Sequence, residues 1–308
     1  MLDQFKDYYN KAKLNQQRLY QGYNWTKEDI NDDLVWHIPI YDVVNRRYAA
    51  FSSLLEALKL KDKDPKGNGN YFLNTSFSNF DFIFLCYLFR LCGSGINYIP
   101  KRDLPYGSHG FGNFWIVDSL KNGRYNKDQW LDDLPDKKFS DNKGYLLPMI
   151  SKGLNAFIKE DALELVNHIF KNLEWNPEIY QIVDIGNKWL IDKGYKRQNF
   201  VLCAFAMDLA EYFPNIISRD SKVYIGSNAK KCLKQIFPKA KGIGTNLDNT
   251  NNCLEYLCDI TGNYSKKYDM EDVACDFIRY IDNFQSKHHI EFNNGIKYYN
   301  NVFKQTEV

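Results

Sequence analysis

The sequence predicts an all-α fold, a compact helical bundle. Three observations predict it. Apolar residues recur at helical spacing through most of the chain, as at Val43, Val44, Tyr48, Phe51, Leu54, Leu55 and Leu58. Several of these patterned stretches carry helix-start and helix-stop residues at their ends. Neither a series of β-hairpins nor a repeat of solenoid period is visible. With 308 residues, the chain is long for one core and short for three domains. One helical body, or two helical lobes, is expected. Residues 1–34 read as an N-terminal helical extension, 35–285 as the helical body and 286–308 as a tail.

Taken in order, residues 3–19 form a polar amphipathic helix, and 40–60 form a second with one apolar face. Lys59 to Asn70 is a solvated loop broken by Pro65, Gly67 and Gly69. Residues 78–92 are apolar nearly all round, which places that helix in the core. Gly93 to about Gly112 is irregular, and 121–146 is charged and loop-like. Helices follow at 147–158 and 160–173. The next helix has Asn176 as its N-cap, Pro177 in its first turn and Gly194 past its end. Another runs from Arg197 to Tyr212 and stops before Pro214. Residues 228–236 form a short helix, and 238–247 a basic, Gly-rich loop. Helices at 249–260 and 268–285 complete the body.

The charge balance excludes a strongly cationic, non-specific nucleic-acid binder. Lys and Arg number 40 against 38 acids, a net charge of +2. A local patch gripping a few phosphates is compatible with that balance. Seven Cys, an odd number, sit mostly in apolar helical stretches, which fits reduced thiols in a cytosolic setting. Cys253 and Cys258 lack the second pair that a zinc site needs. The longest apolar run, Phe82 to Phe89, is too short to span a bilayer, so no membrane partner is expected.

Four clusters could carry chemistry. In Arg90-Leu91-Cys92-Gly93-Ser94-Gly95-Ile96-Asn97-Tyr98, a buried helix delivers an Arg and then breaks into glycines. Such glycines let backbone N–H groups approach an anion, and Arg grips phosphate oxygens bidentately. The same residues also describe a helix that simply ends on Gly. The second cluster, Tyr106 to Trp115, places His109 among small residues, suited to acid–base work or to helix capping, with Asn113 close by. In the third, Asp269 to Tyr280, Glu271, Cys275 and Arg279 share one helix face, and Asp272 and Asp276 the next. Those acids fit ordinary helix electrostatics, or the positioning of an amine, or Mg²⁺. The fourth contains Asp208 and Glu211, and then a turn through Gly226, Ser227 and Asn228 into a helix with Lys230 and Lys231. That turn could seat a backbone phosphate. No cofactor is predicted.

Together the segments RLCGSGINY, YGSHGFGN, IGSNAKKCL and MEDVACDFIRY resemble the α-glutamyl/putrescinyl thymine pyrophosphorylase family. They also resemble the related helical domain of 5-hydroxymethyluracil DNA kinases. The resemblance covers roughly residues 35–285. Cys92 stands where the family pattern has Thr, Asp276 where it has Glu, Arg279 where it has Lys and Asn228 where it has Gly.

The resemblance implies a fold like that of helix-hairpin-helix DNA glycosylases and a role in phage thymine hypermodification, in the host cytoplasm. The implied partners are double-stranded DNA carrying 5-pyrophosphoryloxymethyluracil and a small amine, an amino acid or polyamine, that displaces the pyrophosphate. The target base must leave the stack. Arg90 with Gly93, Ser94 and Gly95 would hold the pyrophosphate, and Asn97, Tyr98, Asn113 and Arg279 would complete the substrate contacts. His109, Asp276 or Glu271 would take the amine proton. Asp248 occupies the place of a glycosylase's catalytic Asp, and Gly226, Ser227, Asn228, Lys230 and Lys231 that of a DNA-backbone seat. A base-excising glycosylase and a non-catalytic DNA-recognition module partnering a hydroxymethyluracil DNA kinase are the alternatives.

Overall fold

The computed structural model describes residues 1–37, 44–46, 78–92, 115–116, 119, 122–135, 153–263 and 266–284. Among them are twelve helices and no strand, so the chain is all-α. It divides into two compact units. The first joins Met1–Tyr48 to Ile225–Val308, and the second is Ala49–Tyr224. In chain order, the first unit begins with α1 (Leu2–Tyr20), α2 (Lys27–Ile30) and α3 (Asp33–His37). The second contains α4 (Asn79–Cys92), α5 (Lys127–Asp132), α6 (Leu154–Glu160), α7 (Ala162–Lys171), α8 (Ile179–Asp192) and α9 (Asn199–Tyr212). The chain then returns to the first unit with α10 (Ser227–Ile236), α11 (Leu247–Thr261) and α12 (Lys267–Phe284).

The second unit is organised around α9. Every residue from Val201 to Tyr212 is buried, as an all-round apolar helix requires. Helices α4 and α8 pack against it. Gly186 in α8 permits the close approach, because a Cβ there would fall 2.8 Å from Leu202 Cδ1 and 3.1 Å from Ile169 Cδ1. The apolar face of α4 buries Phe82, Phe84, Leu85, Tyr87, Leu88 and Phe89. Truncating any of these rings leaves a cavity that costs about 3–5 kcal/mol.

Two sequence expectations for this unit are corrected. Helix α8 begins at Ile179 with Glu178 as N-cap, and Asn176 sits in the left-handed region at φ +54°. The start lies two residues on, where Glu178 and Gln181 form a capping box. There Gln181 Oε1 accepts the Glu178 N–H at 2.8 Å. The stretch expected to be loop over 121–146 contains α5. Asn126 caps that helix by accepting the Gln129 N–H at 3.0 Å, and Trp130 anchors it in the core. Helix α6 begins at Leu154 after Gly153, and residues 147–152 lie outside the described residues. So do 93–112 and all but 44–46 of the helix expected at 40–60.

In the first unit, rings tie α1 to α12. Phe5 meets Phe277 edge-on at 5.2 Å, and Tyr8 lies 4.8 Å from Tyr280. Helix α10 lies along α12 and buries Ala229, Cys232 and Leu233. Helix α11 also packs on α12 and ends at Gly262, whose φ of +68° closes the left-handed cap. The buried side chain of Gln16 accepts the N–H groups of Val44 and Asn45, each at 2.8 Å, and so fixes the short segment that carries Arg46.

Candidate functional site

Arg90 stands in the last turn of α4, in the second unit. Its Nε and Nη2 donate to the two carboxylate oxygens of Asp208, at 2.5 and 2.7 Å. Asp208 is 1 % exposed and lies mid-way along α9. The fork expected to grip an anion therefore grips a buried carboxylate of its own unit, a bidentate geometry of the strong kind. Burial, and next the Asp208 charge, push the neighbouring Cys86 thiol well up, so it is an inert thiol. One turn along α9, Glu211 is also buried and faces Arg219 at 3.3 Å. Gly93, Ser94, Gly95, Asn97, Tyr98, His109 and Asn113 lie outside the described residues.

In the first unit, Glu271 is fully buried. Its Oε1 accepts the Gly226 N–H at 2.8 Å, and its Oε2 has no hydrogen-bond partner among the described residues. Burial raises the carboxyl, the nearby charge of Asp272 raises it further, and the Gly226 N–H and Arg46 oppose both. The group is pushed up to about 8. Burial thus favours its neutral form.

Around it, Arg46 Nη1 donates to Asp272 Oδ2 at 2.6 Å, and the Arg46 N–H donates to Asp269 at 2.8 Å. Asp276 pairs with Arg279 one turn on, at 3.2 Å. Asp272, Asp276 and Arg279 are half-buried, so this face of α12 is reachable beside the closed Glu271. The two faces read from the spacing lie on one helix, and the structure adds the Gly226 N–H to Glu271 and Arg46 to Asp272. Arg46 carried no local signal, since its contact is with a residue 226 positions away. Asp208 did carry one: an acid inside an apolar helix needs a partner.

The Gly226 turn is arranged differently from a free phosphate seat. Its N–H is already given to Glu271. Ser227 is exposed, and Asn228 and Lys230 are half-buried. Lys231 pairs with Asp282 at 3.0 Å. Asp248 is exposed in the first turn of α11, where an acid complements the helix dipole. Five of the six described thiols are buried, with Cys275 half-buried. Among the described residues no group of three or more His, Cys, Asp or Glu side chains is placed to hold a metal ion. No described helix is long and apolar enough to cross a membrane. No protein-family model, curated protein or solved structure matches the chain.

Proposed function

We propose that the chain is a DNA-modifying transferase that replaces the pyrophosphate of 5-pyrophosphoryloxymethyluracil in duplex DNA with an amine. The observation that carries this reading is Glu271. It is a buried carboxyl with its pKa pushed up to about 8, on the helix whose sequence carries the family resemblance. Carboxyls tuned this way are common where protons move.

In the reaction, the amine nitrogen bonds to the exocyclic methylene carbon as that carbon's bond to oxygen breaks. Pyrophosphate leaves with the electron pair. The proton lost by nitrogen passes to a carboxylate, and Asp276, half-buried beside Glu271, is the reachable acceptor. Glu271 lies buried beside it, with burial favouring its neutral form. The test is to incubate the protein with DNA carrying the pyrophosphorylated base and a panel of amines, and then analyse the nucleosides by mass spectrometry. No new nucleoside and no pyrophosphate release with any amine would sink the proposal.

A second reading has its own support. Both Arg90 donors described above are spent on Asp208, and Glu271 is closed to solvent. A non-catalytic DNA-recognition module partnering a hydroxymethyluracil DNA kinase needs neither group free. It predicts binding to modified DNA with no turnover.

A further inference from the structure

The charge of this nearly neutral chain is unevenly distributed. Between Asp220 and Asp248 there is no acidic residue, and Lys222, Lys230, Lys231, Lys234, Lys239 and Lys241 fall in that interval. Five of these lysines belong to the first unit, on α10 and the turn that follows it. Lys231 is held by Asp282. For Lys230, Lys234, Lys239 and Lys241, no carboxylate partner is present among the described residues. Lys234, Lys239 and Lys241 are exposed.

Lys230 is held in place. Gly244, at φ +75°, passes so close beneath it that a Cβ there would fall 2.7 Å from Lys230 Cδ and 2.9 Å from Cε. The aliphatic stem of Lys230 thus lies across the loop and carries its ammonium over it. Lys230 and Lys234 follow one another at one turn along α10, about 6 Å apart in rise. Two backbone N–H groups beside these lysines are already used. Gly226 gives its N–H to Glu271, and Gly244 gives its own to Thr250 Oγ1 at 2.8 Å.

We infer that this strip, Lys230, Lys234, Lys239 and Lys241, binds the phosphodiester backbone of a nucleic acid through lysine side chains, without regard to base sequence. Local cations unbalanced by acids make such a field. A lipid surface is the poorer match. A membrane-binding helix turns its apolar face outward, whereas α10 buries Ala229, Cys232 and Leu233. In the loop, Ile243 is buried and the Phe237 ring is engaged edge-on by Tyr256 at 5.5 Å. The inference rests on charge and burial in the first unit and not on the base-transfer reading. A chain that binds unmodified DNA and transfers nothing would keep it.

The test is fluorescence anisotropy of the full chain with labelled, unmodified DNA, duplex and single-stranded, across a salt series. Four phosphate contacts give a slope of log K against log salt of about −3.6 on duplex. Lys234→Ala with Lys239→Ala should reduce the slope by about 2 and weaken binding roughly 10–100-fold at 0.1 M salt. The corresponding double Arg variant should keep both. Gly244→Ala leaves every charge in place yet displaces Lys230, so a several-fold loss is expected. Lys188→Ala, exposed on the second unit, should change nothing. All substituted lysines are surface residues, and thermal unfolding will confirm that each variant is folded. The inference is overturned by an unchanged slope in the double Ala variant, by no DNA binding at all, or by binding to phosphatidylserine vesicles in place of DNA.

Discussion

Asp208→Ala removes the partner of Arg90 and leaves a guanidinium whose side chain is only 12 % exposed. Both broken hydrogen bonds are charge-assisted, and water reaches little of the site to replace them. Breaking a buried pair from one side costs about 3–5 kcal/mol. The pair lies in the second unit, residues 49–224. For a unit of that size, 1 kcal/mol moves the unfolding midpoint by about 2–4 °C, so a drop of about 6–20 °C is expected. The assay is calorimetry of the full chain, with urea unfolding as a second measure. The double variant Arg90→Met, Asp208→Leu removes both charges and should recover most of the loss, because apolar pairs often match a buried ion pair. A single variant that loses under about 1 kcal/mol would refute the reasoning, and so would a double variant whose loss is the sum of the two singles.

Further outcomes follow from other sites. The folded pKa of Glu271 is raised from 4.5 to about 8, so between those values the unfolded chain has lost a proton that the folded chain keeps. Its contribution is full below pH 4.5 and is lost as pH rises through about 8. Urea midpoints should therefore fall across that range, and Glu271→Gln should flatten the fall; an unchanged slope contradicts the assignment. Asn126→Ala should cost about 1 kcal/mol through the lost cap of α5, read from the thermal midpoint. Gly262→Ala strains the left-handed end of α11 and should cost a similar amount. At least five thiols should resist a disulfide reagent until urea is added, and rapid native reaction of those five would contradict their burial.

Burial pattern was the legible part of the fold. The apolar runs Phe82–Phe89 and Val201–Met207 announce α4 and α9, because only a helix surrounded by others carries apolar groups on every side. Helix ends were less legible. Asn176 has the chemistry of a cap, yet the helix starts after Glu178, where Gln181 completes a capping box. Asn126 and Gln129 signal a helix start as clearly, but α5 is six residues long and too short for periodicity to reveal. In the candidate site, the face shared by Glu271, Cys275 and Arg279, and the next shared by Asp272 and Asp276, follow from spacing within one helix. The arrival of Arg46 and the Gly226 N–H does not, because sequence distance says nothing about which remote groups meet.

The rings of Phe5 and Tyr8 wait for partners at Phe277 and Tyr280, at the other end of the described chain. That separation has a consequence for synthesis. As the chain leaves the ribosome, α1 emerges first and α12 last among the twelve helices, with the whole second unit between them. The second unit is contiguous and can complete itself while the first is still half-made. Closing a loop of that length through disordered chain costs on the order of 5 kcal/mol, and a pre-folded insert shortens the path. Until then the Phe5 and Tyr8 rings of α1 lack their α12 partners. Vectorial production therefore makes the first unit the late-assembling one, and a nascent chain stalled before residue 267 would offer those rings to chaperones.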